Sequence, residues 1–256
     1  MSFNGRSILA FAHDYETTGV KVMELGVVQS ALCFAKIHQD GSYEVLEKDV
    51  QLLSPMGVKI EPEALRVHGH DELKLLGMPD WEPYLREQMV TVNEQGCDVV
   101  VSFNGNRFDN QIAKRVGWKP VMSFDLYKAA KLFKAQHGWS SASLGSVYEK
   151  LMGKPLEKAH DAFADVIATL DMIKPAMSLA GFDNIDDFHK WTQGTDGTPE
   201  MKLTWGNKHK NKKIKDIDSG YLRWILSDGC SVTISHELET AIKIQLGRIP
   251  DPRKQA

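Results

Sequence analysis

The stretch "SILAFAHDYETTGV", residues 7–20, begins as an apolar run and then carries two carboxylates, Asp14 and Glu16. The apolar half reads as a strand, Ser7–His13, entering a core. On a strand, two residues apart means the same face of the sheet, so both acids leave together. An ionised carboxylate is costly to take out of water unless it is paired. Two readings follow. Either the strand has ended and "ETTG" is a solvated turn, or something cationic cancels the pair.

Outward from this strand the chain alternates in a readable way. A long β region, "KVMELGVVQSALCFAKI" (21–37), precedes "SYEVLEKDVQLLS" (42–54), with a turn at Gly41–Ser42. Three such runs with short connections predict an antiparallel meander. "PEALRVHG" (62–69) reads as a short helix behind a proline, and "DWEPYLREQMVTVNEQG" (80–96) as a longer amphipathic one. "CDVVVSF" (97–103) is short, β-branched and apolar without alternation, the pattern of a strand buried on both faces. Helices over 109–117, 128–136 and 143–153 flank another strand, "PVMSFDLY" (120–127), and a final helix from Asp161 to Gly181 is interrupted at Pro175. Strands first, then strand and helix in alternation, predict an α/β fold: a mixed sheet with helices on its faces. Residues 1–182 are expected to form this domain, 183–200 a linker containing "QGTDGTPE", and 201–256 a small basic module of marginal size.

Composition narrows the class. The chain has 256 residues, 42% hydrophobic and 25% charged, as in ordinary globular proteins. Three widely spaced cysteines, Cys33, Cys97 and Cys230, form no CxxC pair, which predicts reduced thiols and a cytoplasmic location. No apolar run is long enough to span a membrane, and no membrane association is expected. The net charge of −3 conceals an asymmetry: residues 202–215, "KLTWGNKHKNKKIK", hold six lysines and no acid. Such a segment is suited to a polyanion.

Three further acids and a histidine complete the pattern. Asp109 follows the buried strand, where open α/β sheets place their sites, although it also reads as a first-turn acid with Asn106 as N-cap. Asp165 shares a small-residue helix face with Ala168, Met172 and Ala176, set apart from the apolar stripe Phe163, Val166, Ile167 and Leu170. His160 stands five residues earlier, on roughly the same side of the helix, and Asp161 reads as an N-terminal helix acid. Four converging carboxylates would repel strongly, by about 4 kcal/mol per pair at 4 Å and an effective dielectric near 20. Such a cluster survives protonated or around divalent cations. Oxygen donors without cysteine favour hard ions, Mg²⁺ or Mn²⁺. Two such ions suit displacement at a phosphodiester, and a neighbouring histidine suits proton removal from water.

"HDYETTG" (13–19), "FNGNRFDNQ" (103–111) and "HDAFADV" (160–166), in this order, resemble the three motifs of the DEDDh family of 3′→5′ exonucleases. Within that family they are most similar to exonuclease I. "EPEALRVHG" (61–69) is similar to the family's segment between its first two motifs. The resemblance implies a ribonuclease H-like mixed five-stranded sheet. It implies Asp14, Glu16, Asp109 and Asp165 as ligands of two Mg²⁺ ions, with Mn²⁺ able to substitute, and His160 as general base. It also implies that Thr17 and Thr18 main-chain groups, His68, Phe103 and Asn104 lie near the terminal nucleotide. No nicotinamide or flavin is expected.

The segment from Leu203 to Gly229 resembles the C-terminal part of exonuclease X, beginning at Trp205–Gly206 and closing on "GYLRW", Gly220–Trp224. Asn207 is an extra residue and Asn211 stands where that pattern has glycine. One reading makes this a solvated lysine loop on a small helical cap with Tyr221 and Trp224 in its core. The other makes it a nucleic-acid grip, with Lys208, Lys210, Lys212 and Lys213 on phosphates and Trp205 stacking on a base. The function implied is release of nucleoside 5′-monophosphates from DNA 3′ ends. RNA is the alternative substrate, and a catalytically silent nucleic-acid-binding module is the alternative of another class.

Overall fold

The computed structural model describes residue 3 and residues 5–193, 198–227, 229–232, 234 and 236–248. Residues 194–197 of the expected linker and 249–256 of the expected basic module lie outside the described residues. The chain divides into two compact units, one from Phe3 to Leu179 and one from Ala180 onward.

The first unit is built on a five-stranded sheet in the order β3-β2-β1-β4-β5. β1 (Ile8–Thr17), β2 (Val27–Ile37) and β3 (Tyr43–Leu52) form the antiparallel meander, and β4 (Val99–Ser102) and β5 (Met122–Asp125) add in parallel beside β1. β1 does not end at His13. It continues to Thr17 because β2 stays paired with it, Asp14 opposite Ala31 and Glu16 opposite Gln29. Both acids therefore stand on a strand in the middle of the sheet. Conversely, β2 starts later than the sequence implies. Residues 21–25 close a turn through amide bonds from Glu24 and Leu25 to the Lys21 carbonyl.

Helices α1 (Pro62–His68) and α2 (Trp81–Gln95) precede β4; α3 (Asp109–Arg115) follows it. After β5 come α4 (Tyr127–His137), α5 (Leu144–Met152), α6 (Ala162–Asp171) and α7 (Ile173–Leu179). The break between α6 and α7 falls at Met172. Pro175 lacks the N–H that would bond the Asp171 carbonyl, and its ring crowds that oxygen, so the helix yields three residues before the proline.

Alternation along β1 sends Phe11 and Tyr15 into a core with Leu32, Trp81, Leu85 and Ile112. Ala10, Ala12, Asp14 and Glu16 take the opposite face, the one α6 packs on. The small side chains at Ala10 and Ala12 permit that close approach, and α6 answers with Ala162, Asp165 and Thr169, all buried. The apolar stripe expected on this helix is thus only half correct. Val166 and Leu170 are buried, while Phe163 and Ile167 are half-buried and Lys48 lies 4.8 Å from the Phe163 ring.

The second unit contains α8 (Ile185–Gln193), which occupies half of the expected linker, and α9 (Ser219–Ile225) and α10 (His236–Gln245). Its own core gathers Leu203, Ile214, Leu222, Ile225 and Ile242, with Trp205 packed partly against it. The lysine segment folds back on itself: Leu203 donates to the Lys212 carbonyl at 2.9 Å and Asn211 to the Leu203 carbonyl at 2.7 Å. Asn211 turns this loop with φ of 66°. Asparagine is among the few non-glycine residues that tolerate the left-handed region, which explains how it replaces glycine there. Asn211→Val should therefore lower the stability of the second unit by about 1–2 kcal/mol, whereas Asn211→Gly should leave it within a few tenths. Denaturant unfolding monitored by tryptophan emission checks both.

Candidate active site

The carboxylates converge where β1 leaves the middle of the sheet. Asp14 and Glu16 come from β1. Asp109 begins α3, behind the 3₁₀ turn Gly105–Arg107, and its Oδ1 accepts the Tyr15 amide at 3.3 Å. Asp165 lies in the first turn of α6, and its Oδ2 accepts the His160 amide at 3.3 Å. One carboxylate oxygen each from Glu16 and Asp165 and one ring nitrogen of His160 lie within 4.8 Å of one another.

Burial and mutual repulsion dominate the electrostatics. Loss of water pushes the Asp14 carboxyl well above the ordinary range, and Asp109, Glu16, Asp165 and Asp161 push it in the same direction. Glu16 is raised to about 8, by burial first and then by Asp165 and Asp109. Burial raises Asp109 to about 7 and Asp165 to about 6, the latter against the opposing pull of the His160 amide. Asp165 Oδ1 is buried with no hydrogen-bond partner. An orphaned carboxylate oxygen amid further acids fits a divalent cation, and the oxygen-rich donor set fits a hard one.

His160 does not ride on the helix as the spacing implied. It sits two residues before α6 in a left-handed conformation, φ 69°, as does Lys158 at 55°. Asp161 is the N-cap, accepting the Ala164 amide at 3.0 Å. His160 is exposed, so its ring meets solvent beside the acids. Asn106 is not the N-cap of α3: its Oδ1 accepts from Asn110 and Ser123 instead, and Phe108 holds the cap position.

Several supporting residues escaped the sequence reading. Gln29 on β2 donates to Asp161 Oδ2 at 3.1 Å and accepts the Ala162 amide at 3.1 Å, pinning the start of α6 to the sheet. The signal was present as a lone amide in the apolar run "VVQSALCFA". Asp125 at the end of β5 accepts the Asn104 amide at 2.7 Å and the Tyr127 amide at 3.1 Å. It thereby holds Asn104 at φ 66°. His13 Nε2 pairs with Asn110 Oδ1 at 2.7 Å, tying β1 to α3 one residue away from Asp14 and Asp109. Burial lowers the His13 ring to about 4, so it is neutral there and donates from Nε2.

The residues expected near a nucleotide are placed as follows. Thr17 and Thr18 are buried; the Thr18 amide donates to Gly26 and its carbonyl accepts from Glu61, so those main-chain groups are engaged within the protein. His68 stacks on His70 at 5.2 Å, and burial with His70 lowers its ring to about 4. Phe103 and Asn104 border a cleft of about 690 Å³ whose other wall includes Tyr127, Lys131 and Lys134. On the second unit, Lys208, Lys210 and Lys212 are exposed, but Lys213 is half-buried against Glu200 at 2.6 Å and is not free for a phosphate. Trp205 is partly buried rather than offered to solvent.

Neither a family model nor a curated protein matches the chain. Among the solved structures it resembles are several of exonuclease I, a nuclease with this α/β architecture. One structure of exonuclease I superposes with a TM-score of 0.58 at 20% identity, over 67% of this chain and 41% of that one. E. coli exonuclease I with zinc and single-stranded DNA matches with a TM-score of 0.57 at 19% identity, over 68% and 41%. A product-bound exonuclease I matches with a TM-score of 0.57 at 18% identity, over 68% and 44%. The chain spans about two fifths of the length of those proteins. The fold is the ribonuclease H-like one of exonuclease I.

The raised carboxyls set a pH dependence. The folded protein holds protons on Glu16, Asp109 and Asp165 that the unfolded chain has already released, so folding binds protons and loses stability as pH rises. In chelator, the melting temperature should fall between about pH 4, the ordinary carboxyl range, and pH 8. Mg²⁺ should restore it, most at the alkaline end, where it displaces the fewest protons. Glu16→Gln should raise the pH 8 melting temperature in chelator by a few degrees and abolish much of the Mg²⁺ response; calorimetry reads both.

Proposed function

We propose that the protein is a metal-dependent 3′→5′ exonuclease that hydrolyses the terminal phosphodiester of a DNA strand and releases nucleoside 5′-monophosphates. The observation that carries this reading is the convergence of Asp14, Glu16, Asp109 and Asp165 with exposed His160 at the end of β1. The likeness to exonuclease I in complex with single-stranded DNA supports DNA as the substrate.

In this reading the four carboxylates hold two divalent ions, Mg²⁺ with Mn²⁺ as substitute. When bound, these ions neutralise phosphate charge, favour deprotonation of water and stabilise the departing 3′-oxygen. The chain's own residues do the rest. His160, held by its amide on Asp165, takes the proton from the attacking water. The new P–O bond forms at the terminal phosphorus as the bond to the 3′-oxygen breaks. That oxygen acquires a proton and becomes the new 3′-hydroxyl. Phe103, Asn104 and the cleft with Lys131 and Lys134 offer aromatic and cationic surface to the strand just upstream. Gln29 keeps the first turn of α6 seated, so that Asp165 and His160 hold position together.

The reading is tested with 5′-labelled single-stranded DNA and RNA of matched sequence, in Mg²⁺ and in chelator. A Mg²⁺-dependent ladder shortening from the 3′ end, faster on DNA and lost in Asp14→Asn, is expected. A faster RNA ladder would move the substrate to RNA. Binding without any ladder would leave a nucleic-acid-binding fold. His160→Ala should slow turnover by about 10²–10⁴-fold with binding retained; unchanged turnover would remove His160 from the proton step.

A further inference from the structure

Among the described residues, Trp224 is the only phenylalanine, tyrosine or tryptophan that is exposed, with 42% of its surface in solvent. It does not stand alone. The His209 ring lies 4.5 Å from Tyr221, and Tyr221 lies 5.2 Å from Trp224, a row of three rings that begins buried at His209 and ends in solvent. The row is built in. Asp218 caps α9 by accepting the Tyr221 amide at 2.8 Å and lies 3.5 Å from His209 Nε2. A Cβ on Gly206 would stand 3.0 Å from the Tyr221 hydroxyl, so glycine there lets the lysine loop close over the ring.

Exposed cations occur at both ends of this row. Lys208 and Lys210, either side of buried His209, are exposed, as is Arg223 next to Trp224. Among the described residues, Glu200 pairs with Lys213 and Lys215, and Asp218 caps α9. An exposed indole at one end of a ring row, with exposed cations along the same row, suits a ligand that is both aromatic and anionic. Nucleobases on a phosphate backbone have both properties.

We propose that the second unit carries a single-strand nucleic-acid site of its own, in which Trp224 stacks on a base and Lys208 and Lys210 contact flanking phosphates. The proposal takes over the stacking role from Trp205, which is packed on the core, and omits Lys213, which is neutralised. It shares with the catalytic reading its class of ligand, not its residues.

The test uses the full chain in chelator, so that no strand is cut, and measures binding of labelled oligothymidylate, inorganic polyphosphate and polyglutamate. Trp224→Ala should weaken oligothymidylate about tenfold and leave polyphosphate unchanged; Trp224→Phe should recover most of the loss. Lys208→Ala with Lys210→Ala should weaken both and make the salt dependence of oligothymidylate binding shallower by about one to one and a half. Lys213→Ala should do neither. The proposal is overturned if Trp224→Ala binds oligothymidylate like the parent, or if it weakens polyphosphate equally, which would make the ring structural. Polyglutamate binding as tightly as oligothymidylate would overturn it in favour of an acidic polypeptide. Absence of hydrolysis in Mg²⁺ with these binding results intact would remove the catalytic reading alone.

Discussion

Four carboxylates brought together away from water are the constraint around which the first unit is arranged. Burial raises each of them, and Asp14 is held well above its ordinary range first by loss of water and then by Asp109, Glu16, Asp165 and Asp161. Left to themselves these groups would part. Three links prevent it. The Tyr15 amide holds Asp109, the His160 amide holds Asp165, and Gln29 fastens the start of α6 to β2. The His13–Asn110 pair lies behind the first of them and joins the same two elements. None of these links neutralises charge. They fix geometry, and the repulsion remains available to any cation that enters.

Five described non-glycine residues adopt positive φ: Met56, Asn104, Lys158, His160 and Asn211; of these, His160 stands beside the acids and Asn104 lines the cleft at Phe103. Such conformations persist only where surroundings over-determine them. At Asn104 the restraint is the Asp125 carboxylate; at His160 it is the Asp165 carboxylate. In the second case one acid both takes part in the site and holds in place the histidine beside it. Replacing Asp165 would therefore disturb two functions together, so its effect on activity would not measure charge alone.

Much of this was legible from residue order. The meander and the mixed sheet followed from periodicity, whereas the five motif residues were singled out as anomalous acids and a histidine and given their individual roles by the family resemblance. What could not be read were features set by tertiary pairing. β1 outlasts His13 only because β2 remains opposite it, and α6 turns its small residues inward because Ala10 and Ala12 leave room. His160 left the helix because Asp161 caps it, a choice between two adjacent polar residues that spacing does not decide. Gln29 was visible as an anomaly, an amide in an apolar strand, but its partners lie more than 130 residues away. In the second unit the lysine count was plain, whereas the loss of Lys213 to Glu200 and the inward turn of Trp205 were not.

The acidic centre of the first unit and the lysine segment 202–215 of the second are local charge extremes that a net charge of −3 conceals. An acidic centre repels a phosphodiester as firmly as it repels itself. Any polyanion that reaches it must arrive with, or after, the cations that neutralise the carboxylates. In the proposed second site there is no such requirement, since exposed Lys208 and Lys210 would attract phosphate directly and Glu200 is already paired with Lys213 and Lys215. Capture of a strand by the second unit would thus be independent of divalent ions and weakened by salt, whereas engagement at β1 would depend on those ions. If both proposals hold, binding by the second unit persists in chelator, whereas binding of a strand end at the acids requires the divalent ions.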